Sequence, residues 1–143
     1  MRDVDRAAAL LASGGHTCVL CRGDTLLVSE LRGIAPILDW MAKGVDLKGF
    51  SVADRVTGKA VALLYAASGI TQAYAVLASQ SAVETCSAQG VNLEVIQLVS
   101  FIANRSRSGL CPMEAIVATI DDPEIAVHLL RAQQAKLSPA VDC

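Results

Sequence analysis

Cys111 is the residue whose neighbours best suit nucleophilic chemistry. The run Cys111-Pro112-Met113-Glu114 reads as a helix start, with Cys111 at the N-cap, Pro112 at the first helical position and Glu114 at the third. Unpaired N–H groups and the helix dipole at such a start favour a thiolate, and Arg105 or Arg107 just upstream would add to that. The same four residues also make a plain structural cap, with Glu114 as a capping-box acid. No histidine lies near in sequence to act as base, which counts against hydrolase chemistry. Cys18-x-x-Cys21, with His16 beside it, has the spacing of a redox or metal pair. On a strand, however, residues three apart face opposite sides, and no second cysteine pair completes a tetrahedral set. Two ordinary strand cysteines fit better.

A second group centres on Asp54. Ser51-Val-Ala-Asp54 has the form of a capping box opening a helix that runs to Ser68-Gly69, with Val52, Val56, Ala60, Leu63 and Ala67 recurring at close to four-residue spacing. On that reading Asp54 and Gly58 share one helix face, as do Arg55 and Lys59. A glycine inside a helix costs up to about 1 kcal/mol against alanine, so Gly58 implies close approach by a backbone or a ligand. The loop Asn104 to Leu110 (Asn-Arg-Ser-Arg-Ser-Gly-Leu) adds two arginines directly before the Cys111 helix, the usual composition of an anion site. Asp54 as a simple cap and Lys59 as a solvated charge remain the plainer alternative. His128 falls on the partly exposed side of an amphipathic helix.

The elements that must position these residues follow from local signals. Asp3 caps a helix to about Ala12, stopped at Gly14-Gly15. Thr17–Cys21 and Thr25–Ser29 flank Arg22-Gly23-Asp24, a hairpin turn rather than an adhesion motif. Ile34 to Lys43 reads as a helix with Pro36 in its first turn. Ala73–Ser79 and Leu93–Val99 read as strands, with a helix from Ser81 to Gln89 between them. Asp122-Pro-Glu starts a last helix ending near Lys136, and residues 138–143 read as a flexible tail behind a single domain of residues 1–137. Between Ala60 and Asn104 there is no Lys or Arg, and only Glu84 and Glu94 carry charge, the pattern of elements buried on both faces.

In 143 residues there is room for one domain. Hydrophobic residues make up 53% and aromatics only 3%, so the core is aliphatic and more apolar surface is present than so small a chain hides alone. A homodimer or larger homo-oligomer is expected. A net charge of −2 gives no general field for nucleic acid or anionic membrane. No run approaches a membrane span, and the acidic start Met1-Arg2-Asp3-Val4-Asp5 is unlike a signal peptide. Five cysteines, an odd number, then suit reduced thiols in the cytoplasm. Asn104-Arg105-Ser106 is a glycosylation sequon in form only.

The order helix, hairpin, helix, central helix, strand, helix, strand, helix resembles the cytidine-deaminase-like fold over about Cys18 to Gln134. The segments Gly49-Phe-Ser-Val-Ala-Asp-Arg-Val-Thr-Gly-Lys-Ala60 and Asn104-Arg through Gly109-Leu-Cys-Pro-Met-Glu114 resemble the signatures of a small prokaryotic family of unknown function. That family is placed in the superfamily as a member without the zinc motif. The resemblance implies a three-layer α/β/α sandwich with a mixed sheet, and a pocket at the start of the central helix. Zinc deaminases hold their metal with a His or Cys at that start and a Pro-Cys-x-x-Cys opening the helix after the next strand. Here Val52-Ala53-Asp54-Arg55 and Gln80-Ser81-Ala82 stand in those places, so no metal and no cofactor are expected. The resulting expectation is a zinc-free domain binding a small polar or nucleotide-like metabolite through Asp54, Gly58, Lys59, Asn104, Arg105 and Glu114. A thiol-dependent group-transfer enzyme using Cys111, and a structural or regulatory oligomer, are the alternatives.

Overall fold

The computed structural model describes residues 1–136. The expected tail lies outside the described residues. Eleven elements follow in order: α1 (Asp3–Ser13), β1 (Cys18–Arg22), β2 (Thr25–Ser29), α2 (Ala35–Ala42), β3 (Ser51–Thr57), α3 (Lys59–Ser68), β4 (Gln72–Ser79), α4 (Gln80–Gln89), β5 (Asn92–Val99), α5 (Pro112–Val117) and α6 (Pro123–Lys136). The strands form one mixed sheet in the order β2-β1-β3-β4-β5. β1 runs antiparallel to both β2 and β3, whereas β3, β4 and β5 are parallel.

The element missing from the sequence reading is β3. Ser51–Thr57 is a strand and not the first two turns of the central helix, which begins at Lys59. Asp54 and Gly58 therefore share no helix face, nor do Arg55 and Lys59, and Gly58 is the N-cap of α3 rather than an interior residue. The physical reason is pairing. Val52, Val56 and Thr57 are β-branched, and the segment is bonded on both edges, Val52 lying opposite Leu20 of β1 and Ala73 of β4. That cross-strand register outweighs a local capping pattern.

The other elements fall close to expectation. α3 and α4 end at Gly69 and Gly90, whose φ values of +79° and +77° provide left-handed caps. Strand alternation separates the two cysteines of the Cys-x-x-Cys run. Cys18 packs into the main core with Leu20 and Val52, while Cys21 faces Ala7 and Leu11 of α1 together with Val19 and Ala53. The main core gathers α2, α3, α4, α5 and α6 on one sheet face, and α3 is buried from Ala60 to Tyr65, behind a half-buried Lys59.

Burial on both faces does not extend to the far edge of the sheet. α1 packs against β1, β3 and part of β4. β5 has no fully buried residue; Ile96 is 67% exposed and Leu98 54%, and neighbouring Val76 is also exposed. The run from Ala60 to Asn104, free of Lys and Arg, thus describes two situations: a central helix enclosed by protein, and an edge strand with an open apolar face.

Candidate functional site

The three parallel strands end on the same side of the sheet, and the segments that follow them meet there. Lys59 opens α3 after β3, Ser81, Glu84 and Thr85 lie on α4 after β4, and Phe101 and Leu110 follow β5. Together with Glu114, Ala118 and Asp121 they line an open groove of about 600 Å3. The carboxyl ends of parallel strands are the usual place for a ligand in an α/β sheet.

At the base of this groove the chain fills its own anion site. Glu114 is 6% exposed, and its carboxylate accepts the N–H of Lys59 at 2.8 Å and of Ala60 at 2.7 Å. These are the first N–H groups of α3, left unpaired by the helix and favourable to negative charge. Burial raises the Glu114 carboxyl above its ordinary pKa, opposed by the N–H groups of Ala60 and Lys59 and by the charge of Lys59. Gly58 makes the approach feasible, since a Cβ there would stand 2.4 Å from Glu114 Oε1. Lys59 turns away toward Ala118 O at 3.2 Å and Asp121 Oδ1 at 3.3 Å, tying α3 to the α5–α6 connection. The next helix is capped more simply: Ser79 Oγ accepts the Ala82 N–H at 3.1 Å.

Asp54 is elsewhere. It is 4% exposed, and its Oδ2 accepts the Tyr65 hydroxyl at 2.6 Å, with Thr57 Oγ1 3.2 Å beyond. Burial moves its pKa up to about 7, against the hydrogen bonds from Tyr65 and the Arg55 backbone. Cys18, opposite Asp54 on β1, is pushed well up by burial and by the Asp54 charge, and Tyr65 is raised by the same two causes. This is a polar cluster inside the core and does not line the groove.

Of the residues singled out in sequence, the structure brings Gly58, Lys59, Cys111 and Glu114 together. Gly58, Cys111 and Glu114 line a narrow, mostly apolar crevice of about 30 Å3, little more than one water, beside Ile34, Val56 and Met113. Cys111 is the N-cap of α5 as expected, but it is 1% exposed, so its sulfur does not meet solvent. Asn104 and Arg105 line neither cavity. The Asn104 Oδ1 accepts from Ser106 Oγ at 3.2 Å and the Ser108 N–H at 3.0 Å, closing the turn under the Ala103–Leu110 bridge. Ser81, Glu84, Thr85, Phe101 and Asp121 were not anticipated as groove residues. Glu84 carried the one available signal, as one of only two charges between Ala60 and Asn104. Among the described residues no group of three His, Cys, Asp or Glu side chains is arranged to hold a metal ion. No helix among them is long and apolar enough to cross a membrane.

Fold and site together define an α/β domain with a mixed five-stranded sheet and a groove over the carboxyl ends of its parallel strands. The chain belongs to the DUF1893 family, described as a domain of unknown function, which its residues 6–133 match. Its fold is similar to that of a DUF1893 family protein (TM1506) from Thermotoga maritima, with a TM-score of 0.80 at 22% identity over 96% of this chain and 92% of that one. No curated protein matches the chain.

Proposed function

We propose that this is a zinc-free, cytidine-deaminase-like domain of the cytoplasm that binds a small polar metabolite bearing a flat ring and amino or hydroxyl groups. The observation that carries this reading is the lining of the 600 Å3 groove. Phe101 and Leu110 offer an exposed apolar surface, while Glu84, Asp121, Ser81 and Thr85 offer acceptors and hydroxyls beside it. Aromatic stacking with a few placed polar groups is the usual recipe for such a site. Phosphate fits poorly: the α3 N-terminus that would hold it already carries the Glu114 carboxylate, and the one cation in the lining among the described residues, Lys59, is engaged. The ligand class is thus nucleoside-like or base-like rather than nucleotide-like.

The deaminase-like reading is supported by the element order, once β3 is inserted ahead of the central helix. The two helix openings that would face a metal in that superfamily are occupied by the Glu114 carboxylate at α3 and the Ser79 hydroxyl at α4. A thermal-shift screen against nucleosides and free bases tests the binding function. At least one compound should raise the melting temperature of the wild-type chain and fail to raise that of Glu84→Gln or Phe101→Ala, both of which should melt normally alone. If no compound in the panel shifts the wild-type chain, the groove is not a nucleoside or base site.

A further inference from the structure

We propose that two copies of this chain join through β5, edge to edge and antiparallel, into one continuous ten-stranded sheet. Among the described residues β5 is an eight-residue edge strand, paired only with β4. Strand edges that stay single are usually guarded by Lys, Pro, a bulge or a short length. Asn92–Val99 has none of these, and its outward apolar side chains are Ile96 at 67% and Leu98 at 54% exposure.

The occupant is a second copy because β5 is complementary to itself in one register. Val95-Ile96-Gln97-Leu98-Val99 reads the same in residue type from either end. An antiparallel pair related by a two-fold axis at Gln97 sets Ile96 opposite Leu98 of the second copy, Val95 opposite Val99, and Gln97 opposite Gln97. Each pair then shares a sheet face, as antiparallel pairing requires. Ile96 and Leu98 lie on the face that α1 leaves open, and with Val76 they form an apolar band that runs across the axis into its copy. The one charge on the strand raises no conflict. Glu94 is held by Arg2 at 3.3 Å and falls opposite Ser100, not opposite Glu94. A different macromolecule would have no reason to match this internal symmetry.

Sedimentation and light scattering of the full chain across a concentration series should show a dimer that dissociates on dilution. Ile96→Lys should raise the dimer dissociation constant about 100-fold, because each dimer loses two apolar contacts and gains two charges against them. Its melting curve, read at a dilution where both proteins are monomers, should match the wild type. The register has its own test. Directly opposed residues have Cα atoms about 4.5–5.5 Å apart, within disulfide reach, so Gln97→Cys should cross-link to itself under mild oxidation beyond the wild-type background. Asn92→Cys, displaced from the axis, should not. A monomer at every concentration, a dimer indifferent to Ile96→Lys, or cross-linking of Asn92→Cys in place of Gln97→Cys would each overturn the proposal.

Discussion

The Glu114 carboxylate occupies the space that a side chain at position 58 would need. Its Oε1, Cδ and Oε2 stand 2.4, 2.6 and 2.8 Å from a Cβ built on Gly58, while the same oxygens receive the N–H groups of Lys59 and Ala60. Position 58 has a φ of −101°, which any residue adopts, so the demand for glycine comes from Glu114 alone.

That dependence can be measured as a coupling. Glu114→Ala should destabilise the protein by about 2–3 kcal/mol, because two N–H groups at a buried helix start lose their acceptor. Gly58→Ala should cost about 1–3 kcal/mol through overpacking. In the double variant the clash is gone, so the combined loss in denaturant unfolding should fall short of the sum by at least about 1 kcal/mol. Additive losses would show that the two positions act independently.

Asp54 sets a pH dependence of stability. Its folded pKa, near 7, lies above its unfolded value near 3.8, so between those limits the folded state holds a proton that the unfolded state has lost. Stability from this group is complete below about pH 4, falls as pH rises toward 7, and is lost above that, by up to about 4 kcal/mol. Asp54→Asn, which keeps an acceptor for Tyr65, should flatten that slope and gain on the wild type at pH 8 relative to pH 5. Unfolding free energies measured at the two pH values decide it, and an unchanged slope would mean that Asp54 titrates as an ordinary carboxylate.

The buried thiols should be slow. Burial raises Cys18 and Cys21, and moves Cys86 to about 11, and all three are closed to solvent. At neutral pH an alkylating reagent should modify them only after unfolding, as peptide mapping with and without denaturant would reveal. Rapid labelling of Cys18 or Cys86 in the native protein would contradict the packing described here.

Zinc should be absent at stoichiometric level from the purified chain, and cytidine, deoxycytidine and guanine should be returned unchanged. The ground for this is that Glu114 and Ser79 cap the two helix openings and neither opening supplies a His or Cys ligand. Elemental analysis near one zinc per chain would refute it.

Much of the fold was legible because its signals are local. The Arg22-Gly23-Asp24 turn, Gly69 and Gly90 after their helices, and Pro112 and Pro123 at helix starts each mark an element by its own backbone chemistry. β3 was not, because Asp54 and Arg55 interrupt its apolar pattern and Ser51 to Asp54 imitates a cap. The β-branched Val52, Val56 and Thr57 and the break at Gly58 were the better guides. The site was half legible. Glu114, Gly58 and Lys59 are named together in the sequence reading as ligand-binding residues, and the structure sets them side by side, with the Glu114 carboxylate on the first N–H groups of α3. The partnership of Asp54 with Tyr65 depends on how α3 lies over the sheet, which no spacing in the chain encodes.

The trans cap also has a consequence for the growing chain. The acceptor for the first N–H groups of α3 lies 55 residues downstream of Lys59. On a ribosome the sheet from β1 to β5 is complete in sequence before Glu114 has been made. Until Glu114 is made, the first N–H groups of α3 lack the carboxylate that accepts them in the folded chain. Synthesis of α5 is then the step that supplies the cap and α6 the last core layer over α3, so the last third of the chain governs when the middle third becomes native.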